Sequence, residues 1–254
     1  VNNSPTSKSP DWLALMIGNS RLHWAYFQED KLQTTWDTNH LSNPLITSRL
    51  PSDFLLTTIP NNLPLYIASV VPSQTKLWQN YPNTKIITLE QIPLKNIYPT
   101  MGIDRALAIL GAGEIYGFPC LVIDAGTALT LTGVDSDRSL IGGAILPGLK
   151  LQFQSLATKA AALPNVNLPD SLPLRWSINT PDAITSGILY TILGGIKTFI
   201  DDWLKKYPSS QIILTGGDSQ LLLSYFKQEY FKTSEKLKQN KNLIFWGILF
   251  SLLS

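Results

Sequence analysis

Twice within 254 residues the chain spells out the same local device. Residues 13–27, LALMIGNSRLHWAYF, and residues 121–134, LVIDAGTALTLTGV, each set an apolar run before a small-residue turn and a second alternating run after it. The turns read Gly18-Asn19-Ser20 and Gly126-Thr127-Ala128. In a strand-turn-strand the glycine lets the backbone approach an anion closely, while neighbouring amides and hydroxyls point donors at it. Making this turn twice predicts two similar halves able to hold one polyphosphate.

With 254 residues, 44% of them hydrophobic, the chain can bury one large core or two of ordinary domain size. The formal net charge is only +2, and the basic residues are scattered apart from a Lys-rich stretch at 227–241, read as a solvated face. Nucleic acid is therefore not the expected partner, since neutralising phosphates needs a concentrated basic face. Cys120 is the single cysteine, which rules out an internal disulfide or a multi-thiolate metal site and fits a reducing, cytoplasmic setting. Residues 1–10, VNNSPTSKSP, lack the apolar stretch of a secretory signal and read as a loose arm. The apolar tail at 243–253 is shorter than the roughly 20 residues a bilayer crossing needs and reads as a closing helix, so no membrane is expected.

Periodicity and turn residues give strands at 13–17, 22–27, 65–70 and 86–89 and a helix at 105–116 in the first half. The second half carries a hairpin from 121–123 and 128–134, a strand at 139–146 and a helix at 147–162. A Pro-rich connection at 163–173, a long helix at 181–207, a strand at 211–214 and terminal helices follow. The join near Gly117 and Pro119 divides the chain into an arm (1–10), a first half (11–117) and a second half (118–254).

A repeated β-β-β-α-β-α order is the actin-like, ribonuclease H-like architecture of sugar kinases and ATPases: an α/β fold of duplicated halves with an interdomain cleft. Five ordered blocks make the resemblance specific: MGIDRALAILGA at 101–112, VIDAGTALTLTGVD at 122–135, LIGGAILPGLKLQFQSLATKAAALP at 140–164, NTPDAITSGI at 179–188 and ILTGGD at 213–218. Together they resemble the type III pantothenate kinases. The resemblance implies a homodimer that transfers the terminal phosphoryl of ATP, with Mg2+, to the hydroxyl of pantothenate. A monovalent cation, potassium or ammonium, assists. Two alternatives stand beside it: a non-catalytic binder of ATP or pantothenate with a regulatory role, and an actin-like kinase for another small alcohol.

The resemblance places the ATP phosphates along Gly18, Asn19, Ser20, Arg21 and His23, with Thr127 contacting ATP from the other half. Taken alone, the first of these segments is an ordinary hairpin turn. Here the chain departs from the family pattern Asp-x-Gly-Asn-Thr: Met16 stands in the acidic slot and removes a hard-oxygen ligand. Gly216 and Gly217, otherwise a tight turn at a strand end, correspond to the glycines against which the adenine lies.

Phosphorylating an alcohol needs a carboxylate near the attacking oxygen, and Asp104 is the candidate base; by itself it could equally cap the helix it opens. Arg105 could be no more than a surface ion pair, yet its guanidinium suits the carboxylate of pantothenate. Gly102, Ile103, Asp104 and Arg105 are then the substrate-reading segment, with Tyr98 as a further contact. Asp124 matches the cation position, the alternative being a carboxylate held by turn amides. Asn179-Thr180-Pro181 reads as a helix start with Thr180 as N-cap and Pro181 first in the helix, while the family uses this threonine to reach the pantothenate of the neighbouring subunit. His23 and His40 show no partner pattern for acid-base or metal work.

Overall fold

A computed structural model describes residues 11–45, 50, 54, 56, 59–60, 62–160 and 162–254. The arm at 1–10 lies outside them. The chain divides into two units, one of Val1–Pro93, Tyr98–Ala108 and Ile244–Ser254, the other of Leu94–Ile97 and Ile109–Leu243.

In the first unit β1 (Trp12–Ile17) pairs antiparallel with β2 (Leu22–Gln28), which pairs antiparallel with β3 (Lys31–Thr38). On its other side β1 runs parallel to β4 (Leu65–Ser69), and β4 to β5 (Thr84–Ile86), giving the order β3-β2-β1-β4-β5. The short helix α1 (Pro72–Thr75) lies between β4 and β5. All six residues of β1 are buried, which is why a central strand reads as an unbroken apolar run. One face of this sheet carries Leu13, Leu15, Ile17, Trp24 and Trp78 in a single core cluster. On Trp12, Phe27 stacks at 4.1 Å.

The helix α2 (Ile103–Tyr116) begins in the first unit, and the division between units falls within it.

The second unit repeats the first unit's sheet topology. β6 (Cys120–Ala125) and β7 (Ala128–Val134) form a hairpin, and β8 (Leu140–Pro147) adds antiparallel to β7. After α3 (Leu149–Lys159) and α4 (Thr180–Lys206), β9 (Gln211–Thr215) returns parallel to β6. Beyond α5 (Ser219–Glu229) and α6 (Phe231–Ser234), β10 (Leu237–Gln239) pairs parallel with β9, so the order is β10-β9-β6-β7-β8. In each sheet the first strand of a meander sits at the centre and takes two later strands in parallel on its free side. These two similar mixed sheets with flanking helices are the duplicated α/β halves that the repeated turn predicts.

The helix α4 is long and apolar enough to cross a membrane by length and composition. Here Leu189, Leu193, Ile196 and Ile200 are instead core residues of the second unit. The chain closes with α7 (Leu243–Leu253), grouped with the first unit, where a side chain added at Gly247 would collide with the Leu107 backbone of α2. Only glycine at that point permits so close a helix approach.

Several sequence expectations change. The strand expected at 86–89 ends at Ile86, and a 3-10 turn occupies Leu89–Gln91. Expected at 147–162, α3 runs only over Leu149–Lys159. Two strands, β3 and β10, have no counterpart in the sequence reading. The residues of β3, KLQTTWDT, are alternately exposed and half-buried, so this sheet edge offers one weakly apolar face, anchored by Trp36 stacked on Trp24 at 5.8 Å. β10 has a single buried residue, Leu237, within the Lys-rich stretch. Around it Lys227, Lys232, Lys236, Lys238 and Lys241 are exposed, as a solvated face requires.

Candidate active site

The first turn connects β1 to β2 through four residues, with the Gly18 N–H donating to the Arg21 carbonyl at 3.0 Å. Gly18 is half-buried, and Asn19, Ser20 and Arg21 are exposed. The His23 Nδ1–H donates to Asp37 Oδ1 at 2.8 Å, and Arg21 approaches the other oxygen of that carboxylate at 4.0 Å. Across the turn, His40 Nε2 lies 2.8 Å from the Gly18 carbonyl oxygen. Both histidines thus have partners that the sequence did not reveal. The pairing of His23 with Asp37 follows from the β2–β3 register, and His40 is 22 residues from Gly18, beyond any local pattern. Met16 is 2% exposed and sits between His23 and Ala68 in the sheet register. Its thioether is a core group and offers no oxygen to a cation.

Asp104 is the second residue of α2 rather than its N-cap, and it accepts the Arg105 N–H at 2.8 Å. Its carboxylate lies over Gly102, where an added Cβ would collide with Oδ1 and displace the carboxylate from its present position. Burial pushes this carboxyl above the usual carboxylate range, and the Arg105 amide and guanidinium pull back part of the way. A partly desolvated carboxylate with a raised proton affinity is suited to accept a proton from an alcohol. Arg105 is only 7% exposed, which excludes the surface ion pair, and its Nη1 donates to the Tyr98 hydroxyl at 2.8 Å. Tyr98 itself is exposed and Ile103 buried. The structure therefore gathers Tyr98, Gly102, Ile103, Asp104 and Arg105 at one helix start.

The second turn is tighter. Gly126 N–H donates to the Ala128 carbonyl at 3.1 Å, and Thr127 stands exposed at the tip. The glycine before α3 braces this turn from outside, since Gly148 N–H donates to the Thr127 carbonyl at 2.9 Å and a side chain there would strike Gly126 and Thr127. The end of β9 folds over the same turn. Gly216 has φ +89°, a conformation natural to glycine, and a Cβ on it would meet Asp124 Oδ1 and the Ala125 carbonyl group. Asp218 N–H donates to the Ala125 carbonyl at 2.9 Å, while Asp218 Oδ1 pairs with Lys150 at 2.9 Å. Asp124, half-buried, is thus held beside Gly216, and Gly217 has open space around it. Lys150 was not legible as part of this cluster, because α3 brings it to Asp218 from 68 residues away in sequence (218 − 150).

Thr180 is exposed as the first residue of α4. The N-cap is Asn179, whose side chain accepts the Asp182 N–H at 3.0 Å, which moves the expected cap back by one residue. Among the described residues no group of three or more His, Cys, Asp or Glu side chains could hold a metal.

The type III pantothenate kinase family model matches residues 12–202. The type III pantothenate kinase of Nostoc sp. is 49% identical over 255 residues, covering 93% of this chain and 92% of its own. That of Synechocystis sp. is 47% identical over 243 residues, covering 95% and 90%. Among solved structures, a conserved Baf family protein from Campylobacter jejuni superposes with a TM-score of 0.62 at 23% identity, covering 95% of this chain and 97% of its own. The ethanolamine utilization protein EutJ from Carboxydothermus hydrogenoformans gives a TM-score of 0.52 at 10% identity over 98% and 91%. The structural likenesses establish the duplicated fold; the sequence matches, which span the Gly18 turn, the Asp104 segment, Asp124 and Thr180, establish that the chain belongs to the type III pantothenate kinase family.

Proposed function

We infer that this chain phosphorylates pantothenate with ATP, giving 4'-phosphopantothenate, the first step of coenzyme A biosynthesis, with Asp104 as the base. The observation that carries the residue assignment is the half-buried carboxylate at the start of α2, raised in proton affinity beside a buried Arg105 that is tied to Tyr98. In the reaction a bond forms between the pantothenate hydroxyl oxygen and the terminal phosphorus as the bond to the ADP oxygen breaks. The hydroxyl proton passes to Asp104. Most of the rate in such a transfer comes from positioning and charge stabilisation rather than covalent chemistry by the protein.

The roles of the remaining residues follow the same reading. Gly18, Asn19, Ser20, Arg21 and His23 hold the phosphates, with Thr127, and Gly216 and Gly217 border the adenine. Arg105 and Tyr98 take the carboxylate end of pantothenate, and Gly102 and Ile103 line its path. Magnesium accompanies ATP as a charge-neutralising ion on the phosphates. Its ligands from this chain cannot include residue 16, where methionine is buried. Asp124, a half-buried carboxylate at a strand end, is the oxygen donor proposed for a potassium or ammonium ion.

We also read the enzyme as a cytoplasmic homodimer in which Thr180 reaches the pantothenate of the neighbouring subunit. Support comes from the segment leading into α4, where Leu174, Trp176 and Ile178 are 82%, 88% and 104% exposed. The segment is nonetheless pinned: Tyr190 Oη donates to Pro173 O at 2.8 Å and Ser186 Oγ to Arg175 O at 2.6 Å. An ordered strip of exposed apolar side chains is an expected feature of an interface.

A coupled ADP-release assay with pantothenate, run with and without potassium, tests this reading. Potassium-stimulated, pantothenate-dependent release is expected. Release with sugars but not pantothenate, or tight ATP binding without turnover, would overturn it.

A further inference from the structure

We propose that His40 is a positioning residue for ATP, holding the Gly18–Asn19 peptide in the orientation that presents the Asn19 amide to phosphate. The inference rests on the reading that the 18–21 turn holds the phosphates.

A carbonyl oxygen can only accept, so at 2.8 Å the His40 Nε2 must carry the hydrogen it shares with Gly18 O. The peptide unit is planar and trans, which places the Gly18 carbonyl and the Asn19 N–H on opposite sides of one rigid plate. Fixing the carbonyl toward His40 therefore fixes the Asn19 donor in the opposite direction. Flipping this peptide changes ψ of Gly18, which has no side chain to resist, and φ of Asn19, a residue type that enters the positive-φ region more readily than most. The turn is braced around this peptide: the Gly18 N–H is tied across it to Arg21 O, and Ile17 O accepts the Val70 N–H at 3.1 Å, but neither bond uses the Gly18 carbonyl or the Asn19 N–H. His40 acts on the Gly18 carbonyl itself.

His40 is itself held in place. Its neighbour Leu41 is clamped on both backbone groups by one side chain of α1: Leu41 N–H donates to Gln74 Oε1 at 3.1 Å, and Gln74 Nε2 donates to Leu41 O at 3.0 Å. A relay thus runs from Gln74 through the backbone at Leu41 to His40 and on to Gly18. Beside it opens a polar cavity of about 550 Å³ lined by Arg21, Asp37, Asn39, His40 and Ser42 among others.

The test is steady-state kinetics of the full chain carrying His40→Phe, His40→Gln and, as a probe of the turn itself, Ser20→Glu. Glutamine places an N–H donor where Nε2 stood, whereas phenylalanine keeps the ring and removes the donor. His40→Phe should raise KM for ATP about tenfold, the effect of losing one neutral hydrogen bond, with KM for pantothenate within about twofold of the parent. His40→Gln should bring KM for ATP back to within about threefold. Should His40→Phe not fold, His40→Asn, whose amide stops short of Gly18, takes its place with the same expectation. If Ser20→Glu raises KM for ATP while the donor-less variant does not, the proposal fails and the turn reading stands. Equal rises in both KM values, or no rescue by glutamine, also overturn it. No effect of Ser20→Glu would remove the turn reading and the proposal with it.

Discussion

Gly216→Ala puts one methyl group where two proposed ATP-contacting turns meet, and the structure sets its cost. The residue has φ +89°, where a side chain costs about 1–2 kcal/mol through contact of Cβ with the backbone. The new Cβ would also lie 2.6 Å from both the carbon and the oxygen of the Ala125 carbonyl, and against Asp124 Oδ1. Those atoms end a central strand that is hydrogen-bonded on both sides, so they cannot yield cheaply, and overpacking of this kind costs about 1–3 kcal/mol. The sum, about 2–5 kcal/mol, corresponds to a fall in melting temperature of roughly 4–20 °C for a chain of this size. Gly217→Ala is the matched control: nothing lies within 4 Å of its added carbon, and it should melt within about 2 °C of the parent. Thermal melts of both variants, with KM for ATP as a second readout, decide the matter. The reasoning fails if Gly216→Ala melts no lower than Gly217→Ala, because the packing of the β9 turn against the β6 end would then not be as described.

Asp104→Asn should lower kcat by about 10²- to 10⁴-fold while leaving ATP binding in place. Its pH behaviour separates the base from a merely structural carboxylate. The folded carboxyl binds its proton more tightly than the unfolded one, so its contribution to stability is present below the ordinary carboxylate pKa and lost as pH rises through the raised value. Asparagine avoids that loss, so the variant should melt no lower than the parent at neutral pH, and the parent's kcat/KM should fall on acidification at a pH above the ordinary carboxylate pKa. An acid limb at or below that value would refute the assignment. Tyr98→Phe removes the oxygen that accepts from Arg105 Nη1 and should raise KM for pantothenate about tenfold with KM for ATP unchanged; parallel rises in both would show a general distortion. If the chain forms the proposed dimer, Trp176→Asp should sediment as a monomer, and a variant as dimeric as the parent would exclude this strip from the interface.

What could be read from residues alone was whatever depends on near neighbours along the chain. The two apolar runs with their glycine turns marked the centres of both sheets, because central strands are buried on both faces and carry unbroken apolar sequence. The order of the motif blocks carried the family and hence the reaction. The spacing Gly102-x-Asp104 likewise encoded a local fact, a carboxylate folded over its own glycine. Edge strands escaped notice: β3 and β10 are held by pairing partners more than by their own burial, so they carry little periodic signal. Only the tertiary structure decided which distant groups support the turns. His40 reaches Gly18 because β3 runs back along β2, and Gly148 and Gly216 both pack on the β6–β7 turn because α3 and β9 return to it. Hydrogen bonds and close contacts of this kind depend on distances of a few ångströms between segments tens of residues apart, and folding sets those distances where local composition cannot.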